Sequence, residues 1–123
     1  MKDHIEELND QKFIHVITTG RKTGKSHTVE LWFAYDSGKI YLSHEGDHTD
    51  WMKNISKNER VGVKIGSSNF DAVGRLIKEE GSSREAGKKS LYEKYYHPAT
   101  KEVIDDWFEL STIVELTPVD KKM

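Results

Sequence analysis

Alternation of apolar and polar positions organises most of this chain. Over residues 27–35 the apolar side chains Val29, Leu31, Phe33 and Tyr35 recur at every second position and share one face of an extended strand. Residues 60–66 alternate as strictly, with Val61, Val63 and Ile65 on one side. Residues 13–19, 39–43, 70–78 and 111–116 are further runs rich in β-branched or aromatic side chains. Turn residues separate them: Gly20 and Gly24 after the first run, Asp36-Ser37-Gly38 after the second, Ser67-Ser68-Asn69 before the fifth. The pattern therefore predicts six strands, the first three joined most simply as an antiparallel meander.

Helical spacing occupies the gaps. Ile5 and Leu8 predict a short helix over residues 3–11. Trp51, Met52 and Ile55 predict another over residues 49–58, capped by Thr49. Ser82 and Glu85 have capping-box spacing and open a helix reaching about residue 96. His97-Pro98 interrupts it, and a second helical piece runs from residue 98 toward 108. No repeat or linker divides the chain. Residues 1–123 are expected to form a single, mainly β domain: a small six-stranded antiparallel barrel with short helices on one side.

Composition narrows the function. The chain has 123 residues, enough for one core. Charged residues make up 33%, but the net charge is only −2, so no overall field draws the protein to nucleic acid or to a membrane surface. Cysteine is absent, which excludes disulfides and thiolate metal sites. No window has the apolar length of a membrane span, and the N-terminus lacks an apolar signal core. The expectation is a soluble, cytoplasmic protein.

Two stretches carry candidate chemistry. His44-Glu45-Gly46-Asp47-His48 spells H-E-x-x-H, a zinc-protease pattern that works only on a helix, where both imidazoles share one face. Here Gly46-Asp47 is a poor helix interior, and the preceding strand runs straight into His44. A loop leaving a strand is expected instead. Such a loop leaves open polar surface, a metal held by His44, Asp47 and His48, or contact with an organic cofactor. The other stretch, Gly20-Arg21-Lys22-Thr23-Gly24-Lys25, places three cations between two strands. Glycines there expose backbone N–H groups, Arg offers a flat fork and Lys a mobile charge. A phosphate or carboxylate tail suits this turn, and so does plain solvent. It is not a Walker loop, because the spacing fails and no helix follows.

The sequence Thr18-Thr19-Gly20-Arg21-Lys22-Thr23-Gly24-Lys25 followed by Leu31-Trp32-Phe33 resembles the opening of the deazaflavin-dependent nitroreductase family, T-T-G-R-K-S-G and a P-L-x-Y/F strand. Later blocks follow in order. Ile40-Tyr41-Leu42-Ser43 resembles the strand entering that family's Ser-Lys-Gly-Gly turn. Trp51 to Ile55 and Asn58 to Val63 resemble its W-x-x-N-L-x-x-N-P-x-V-x-V block, and Thr112 to Val119 its final strand. The resemblance implies a split β-barrel related to pyridoxamine-phosphate-oxidase-like flavin proteins, frequently a homodimer, binding coenzyme F420 or FMN and reducing a small acceptor such as a quinone or nitro-aromatic.

Carried over by residue, it implies that Arg21 and Lys22 bind phosphate, helped by Thr23, Lys25 and His27. Ser43, His44, Glu45 and Gly46 would lie near the cofactor, over Trp51. Asn54 would fix that loop and the helix beneath it. Tyr92, Tyr95 and Tyr96 would border the acceptor pocket. This chain departs from the pattern by placing His44 and Glu45 where relatives have Lys-Gly, His27 at a common Arg, and Glu30 at a common Pro. The alternatives within reach of the same residues are a non-catalytic flavin- or haem-binding protein of this fold, and a His-based metal protein.

Overall fold

Seven strands form one antiparallel sheet in the order β2-β1-β5-β6-β7-β4-β3. They are β1 (Phe13–Thr19), β2 (Ser26–Trp32), β3 (Ala34–Asp36), β4 (Lys39–Glu45), β5 (Arg60–Ile65), β6 (Ser68–Ile77) and β7 (Ser111–Val119). Three helices accompany them: α1 (Asp50–Lys57), α2 (Ser82–Tyr95) and α3 (Lys101–Trp107). The structure, a computed structural model, describes residues 8–46 and 49–119. Of the helix expected over residues 3–11, only the end is described, as a 3-10 turn at Leu8–Asp10. The position of Ile5 lies outside the described residues.

The strand count is seven rather than six because the run over residues 27–35 changes partners at Phe33. Trp32 and the residues before it pair with β1, whereas Ala34 to Asp36 pair with β4. The two edges of the sheet are thus halves of one run of chain. That continuity closes the sheet into a barrel and leaves no long open edge. Side-chain alternation survives the change of partner. Val29, Leu31, Phe33 and Tyr35 all pack with the interior cluster, and Phe33 is fully buried.

Interior positions of every strand meet in that cluster, among them Ile14, Val16, Ile40, Leu42, Val63 and Leu116. Helix α1 contributes Trp51, Met52 and Ile55 to the same cluster. Burial of each such side chain stabilises the fold by about 1.5–3 kcal/mol. The opposite face of β3, β4 and β7 forms a second layer, where Ala34, Tyr41 and Ile113 pack under Leu91 of α2 and Ile104 and Phe108 at α3. The helices therefore serve two cores, not one side only. Gly87 allows α2 to lie close to the sheet: a Cβ there would stand 2.7 Å from Ile113 Cγ2 and 2.9 Å from Tyr41 Cδ1.

Ion pairs join the two outer helices. Lys88, only 4% exposed, meets Asp105 of α3 at 2.6 Å and Glu85 at 3.1 Å. Burial opposes its charge, but the bonds to Asp105 and Glu85 outweigh it and hold the pKa above the usual lysine value. Lys101 and Lys88 together keep the Asp105 carboxyl below its usual range.

Local capping departs from the sequence pattern. The residue before α2 is Gly81, with φ 149°, and Ser82 already lies within the helix, so the expected Ser82–Glu85 box does not form. Thr49 occupies the cap position of α1, yet its hydroxyl makes no capping bond. At α3 the Thr100 hydroxyl does accept from the Val103 N–H. The β5–β6 hairpin also turns earlier than expected, since Ile65 already pairs with Ser68 and Gly66, at φ 59°, takes the bend.

Candidate functional site

The cationic turn is built to fold back on itself. The Gly20 N–H donates to Lys25 O at 2.7 Å, and the Gly24 N–H donates to Gly20 O at 2.9 Å. Gly24 sits at φ 74°, a left-handed conformation that glycine adopts freely. Gly20 leaves room for its neighbours: a Cβ there would stand 2.9 Å from Thr23 Oγ1 and 3.0 Å from His27 Nε2, so those exposed side chains would have to shift. The Thr23 hydroxyl in turn accepts from the Lys25 N–H at 3.2 Å.

Helix α1 lies against this turn, and Arg21 ties the two together. Its backbone N–H and Nη1 both donate to Asn54 Oδ1, at 3.2 and 2.9 Å. Nη2 stands 3.5 Å from Asp50 Oδ1. The far side of the Asn54 amide donates to Thr18 Oγ1 at 3.1 Å. Both Asn54 and Thr18 are buried. Between turn and helix opens a groove of about 520 Å³, lined by Arg21, Lys22, Thr23, His27, Trp51 and Asn54 among others. Trp51 is 6% exposed, so it forms part of the groove wall while packing mainly in the barrel. Among the described residues no carboxylate pairs with Lys22 or Lys25.

Of the residues expected around a cofactor, Arg21, Lys22, Thr23, His27 and Trp51 share this groove. Lys25 belongs to the turn but not to the groove lining. Ser43, His44 and Glu45 do not form a free loop: β4 continues through Glu45, and the Gly46 N–H donates to Leu110 O at 2.9 Å. The pairing of Ser43 with Ile113 and of Glu45 with Ser111 extends the β4–β7 ladder to the strand end. His44 is not part of the groove lining; its ring stands 6.5 Å from that of Trp51 in a T-shaped arrangement. Its Nδ1 lies 2.9 Å from Glu45 O. A strand at His44 and Glu45 rules out a zinc-binding helix there. Among the described residues no group of three His, Asp or Glu side chains is placed to hold a metal; Asp47 and His48 lie outside them.

The three tyrosines of α2 and its end do not line the groove. Tyr95 is engaged with backbone at the β2–β3 junction, accepting from the Phe33 N–H at 3.0 Å, and stacks on Trp32 at 4.2 Å. Burial pushes its phenol pKa up. Tyr92 and Tyr96 join Trp107 in an aromatic cluster, with Tyr96 5.0 Å from both other rings. Asp50 as a groove residue was not apparent from sequence. It opens α1, and helical spacing four before Asn54 was the available signal.

The donor set suits an anionic ligand end: Arg21, Lys22 and the Thr23 hydroxyl line the groove, with Lys25 on the same turn outside the lining. Asp50 and His27 also line the groove. Such a site fits a cofactor that carries its own redox chemistry.

Comparisons with known proteins bear on the family and the fold. A family model described as F420H(2)-dependent quinone reductase matches residues 4–101. Comparison with curated proteins gives no match. Among solved structures, the chain is similar to a conserved hypothetical protein from Mycobacterium tuberculosis, at 20% identity and a TM-score of 0.80, covering 98% of this chain and 81% of that one. It is similar to a haem storage protein from Vibrio cholerae at 14% identity and a TM-score of 0.71, over 98% and 91% of the two chains. An F420-H2 dependent reductase shares 24% identity and a TM-score of 0.67, over 85% and 93%. These likenesses establish the split-barrel fold, and the family model, spanning most of the sequence, establishes descent. The chain belongs to the F420H(2)-dependent quinone reductase family, a family of deazaflavin-dependent oxidoreductases.

Proposed function

We propose that the chain binds coenzyme F420 by its phosphate-bearing end, in the groove between the β1–β2 turn and α1, and passes hydride to a small quinone-like acceptor. The observation that carries this reading is the cationic turn itself. Arg21 is fixed against α1, and Lys22 beside it has no carboxylate partner among the described residues. When bound, the reduced deazaflavin supplies the hydride. The protein's part is to bind and orient. Lys22 and Arg21 take the phosphate charge, with the Thr23 hydroxyl and Lys25 nearby. Trp51 forms the apolar wall. His44, edge-on to Trp51, donates to a phosphate or ring carbonyl, and Ser43, Glu45 and Gly46 hold the strand end that carries it. Tyr92 and Tyr96 offer aromatic surface for a planar acceptor, either a quinone or a nitro-aromatic. FMN carries the same phosphate chemistry and is the second cofactor to compare.

The working unit is a homodimer. Trp107 is 57% and Leu110 69% exposed, apolar area that a second copy would cover. Light scattering on the purified protein tests this, and a monomer at all concentrations would remove it.

Titration of the purified protein with F420 and with FMN, followed by absorption and fluorescence, tests the cofactor assignment. Saturable binding of F420, and oxidation of its reduced form on adding a quinone, are expected. Absence of saturable binding by either cofactor would reject the reading.

A further inference from the structure

Arg21 is held by an acceptor that carries no charge. Asn54 Oδ1 receives both its backbone N–H and Nη1, at 3.2 and 2.9 Å. The same amide donates from Nδ2 to Thr18 Oγ1 at 3.1 Å. Asn54 is 2% and Thr18 0% exposed. With both ends used, the amide has one workable orientation; reversed, it would face two donors with its own. Asp50 also approaches the guanidinium, but at 3.5 Å and with a side chain 88% exposed, where water screens the pair.

We propose that Asn54 is a positioning residue for anion binding: a neutral amide fixes the Arg21 guanidinium against α1 while leaving its positive charge for the ligand in the groove. The inference rests on reading that groove as the cofactor's anionic subsite. A carboxylate at the same position would hold Arg21 equally well in geometry, with the Thr18 hydroxyl turning to donate. It would also cancel the charge that the ligand needs. An apolar side chain would do the reverse, freeing the charge but releasing the guanidinium and the turn. Thermal stability and anion affinity are therefore governed by different properties of residue 54.

Asn54→Asp and Asn54→Ala test this, with F420 and FMN as probes and the thermal midpoint of each variant measured alongside. Asn54→Asp is expected to melt close to the parent, to bind either cofactor about tenfold or more weakly, and to show a flatter dependence of affinity on salt. Asn54→Ala is expected to lose both stability and affinity. Arg21→Lys provides a second test independent of position 54: it keeps the charge and loses the Nη1 bond, and affinity falls about fivefold with the salt dependence retained. Affinity in Asn54→Asp equal to the parent, affinity that merely follows the thermal midpoint across the variants, or parental affinity in Arg21→Lys would overturn the inference while leaving the cofactor assignment intact. Failure of the parent itself to bind either cofactor would overturn both.

Discussion

The Tyr95 hydroxyl serves the backbone of Phe33 where the sheet cannot. It accepts from the Phe33 N–H at 3.0 Å and lies 2.8 Å from Phe33 O and 2.7 Å from Lys12 O. Phe33 is the residue at which the chain leaves β1 and joins β4, so its main-chain groups have no ladder partner, and buried groups of that kind are costly when unpaired. Helix α2 thus holds the seam of the barrel through one phenol. Tyr95→Phe keeps the ring stacked on Trp32 and removes the oxygen. It should lower stability by about 1–3 kcal/mol, measured by urea unfolding, through loss of partners for a buried amide and carbonyl.

Gly87→Ala should also destabilise, although alanine is the better helix former by about 1 kcal/mol. The added methyl would meet Ile113 Cγ2 at 2.7 Å and Tyr41 Cδ1 at 2.9 Å, both inside the second core. Overpacking of this kind costs about 1–3 kcal/mol, so the net effect is a loss, read as a lowered midpoint in chemical denaturation. A midpoint raised by the substitution would contradict this packing.

Lys22→Ala should separate binding from stability. Lys22 is exposed and carries no ion pair among the described residues, so its removal should leave the thermal midpoint nearly unchanged. Charged hydrogen bonds contribute about 1.5–3 kcal/mol, so affinity for a phosphate-bearing cofactor should fall about 10- to 100-fold. The loss should shrink at high salt. Fluorescence titration at two ionic strengths measures both quantities.

Lys94 should give stability a dependence on alkaline pH. Its Nζ lies 3.5 Å from the centre of the Phe33 ring and donates to Gln11 O at 2.7 Å. Burial lowers its pKa from 10.5 to about 8, partly opposed by the Asp10 carboxylate. Between those values the unfolded chain binds the proton that the folded protein has released, so stability rises as pH increases through that window. Below it both states are protonated and the burial penalty is constant. Lys94→Met should remove this contribution: with the shift discounted for the side chain's partial exposure, the parent should gain roughly 3–10 °C relative to the variant between the lower and upper ends of the window. A parent-minus-variant difference that stays flat with pH would refute it.

Alternation of side chains determined most of the fold from sequence alone. A strand's two faces are set by local backbone geometry, so Val29, Leu31, Phe33 and Tyr35 were readable as one interior face even though the strand breaks its pairing among them. The cationic turn was readable for the same reason: glycines, a short span and like charges are all local. Which strand pairs with which is a long-range matter, and only the tertiary structure decided that one run forms both edges of the barrel. It also decided that His44 and Glu45 stay in the ladder beside β7, that Gly81 rather than Ser82 precedes α2, and that Tyr95 faces backbone instead of the groove. The neutral grip of Asn54 on Arg21 spans 33 positions of sequence. The residue types were visible in the chain, but a hydrogen bond requires a distance, and packing α1 against the barrel is what supplies it.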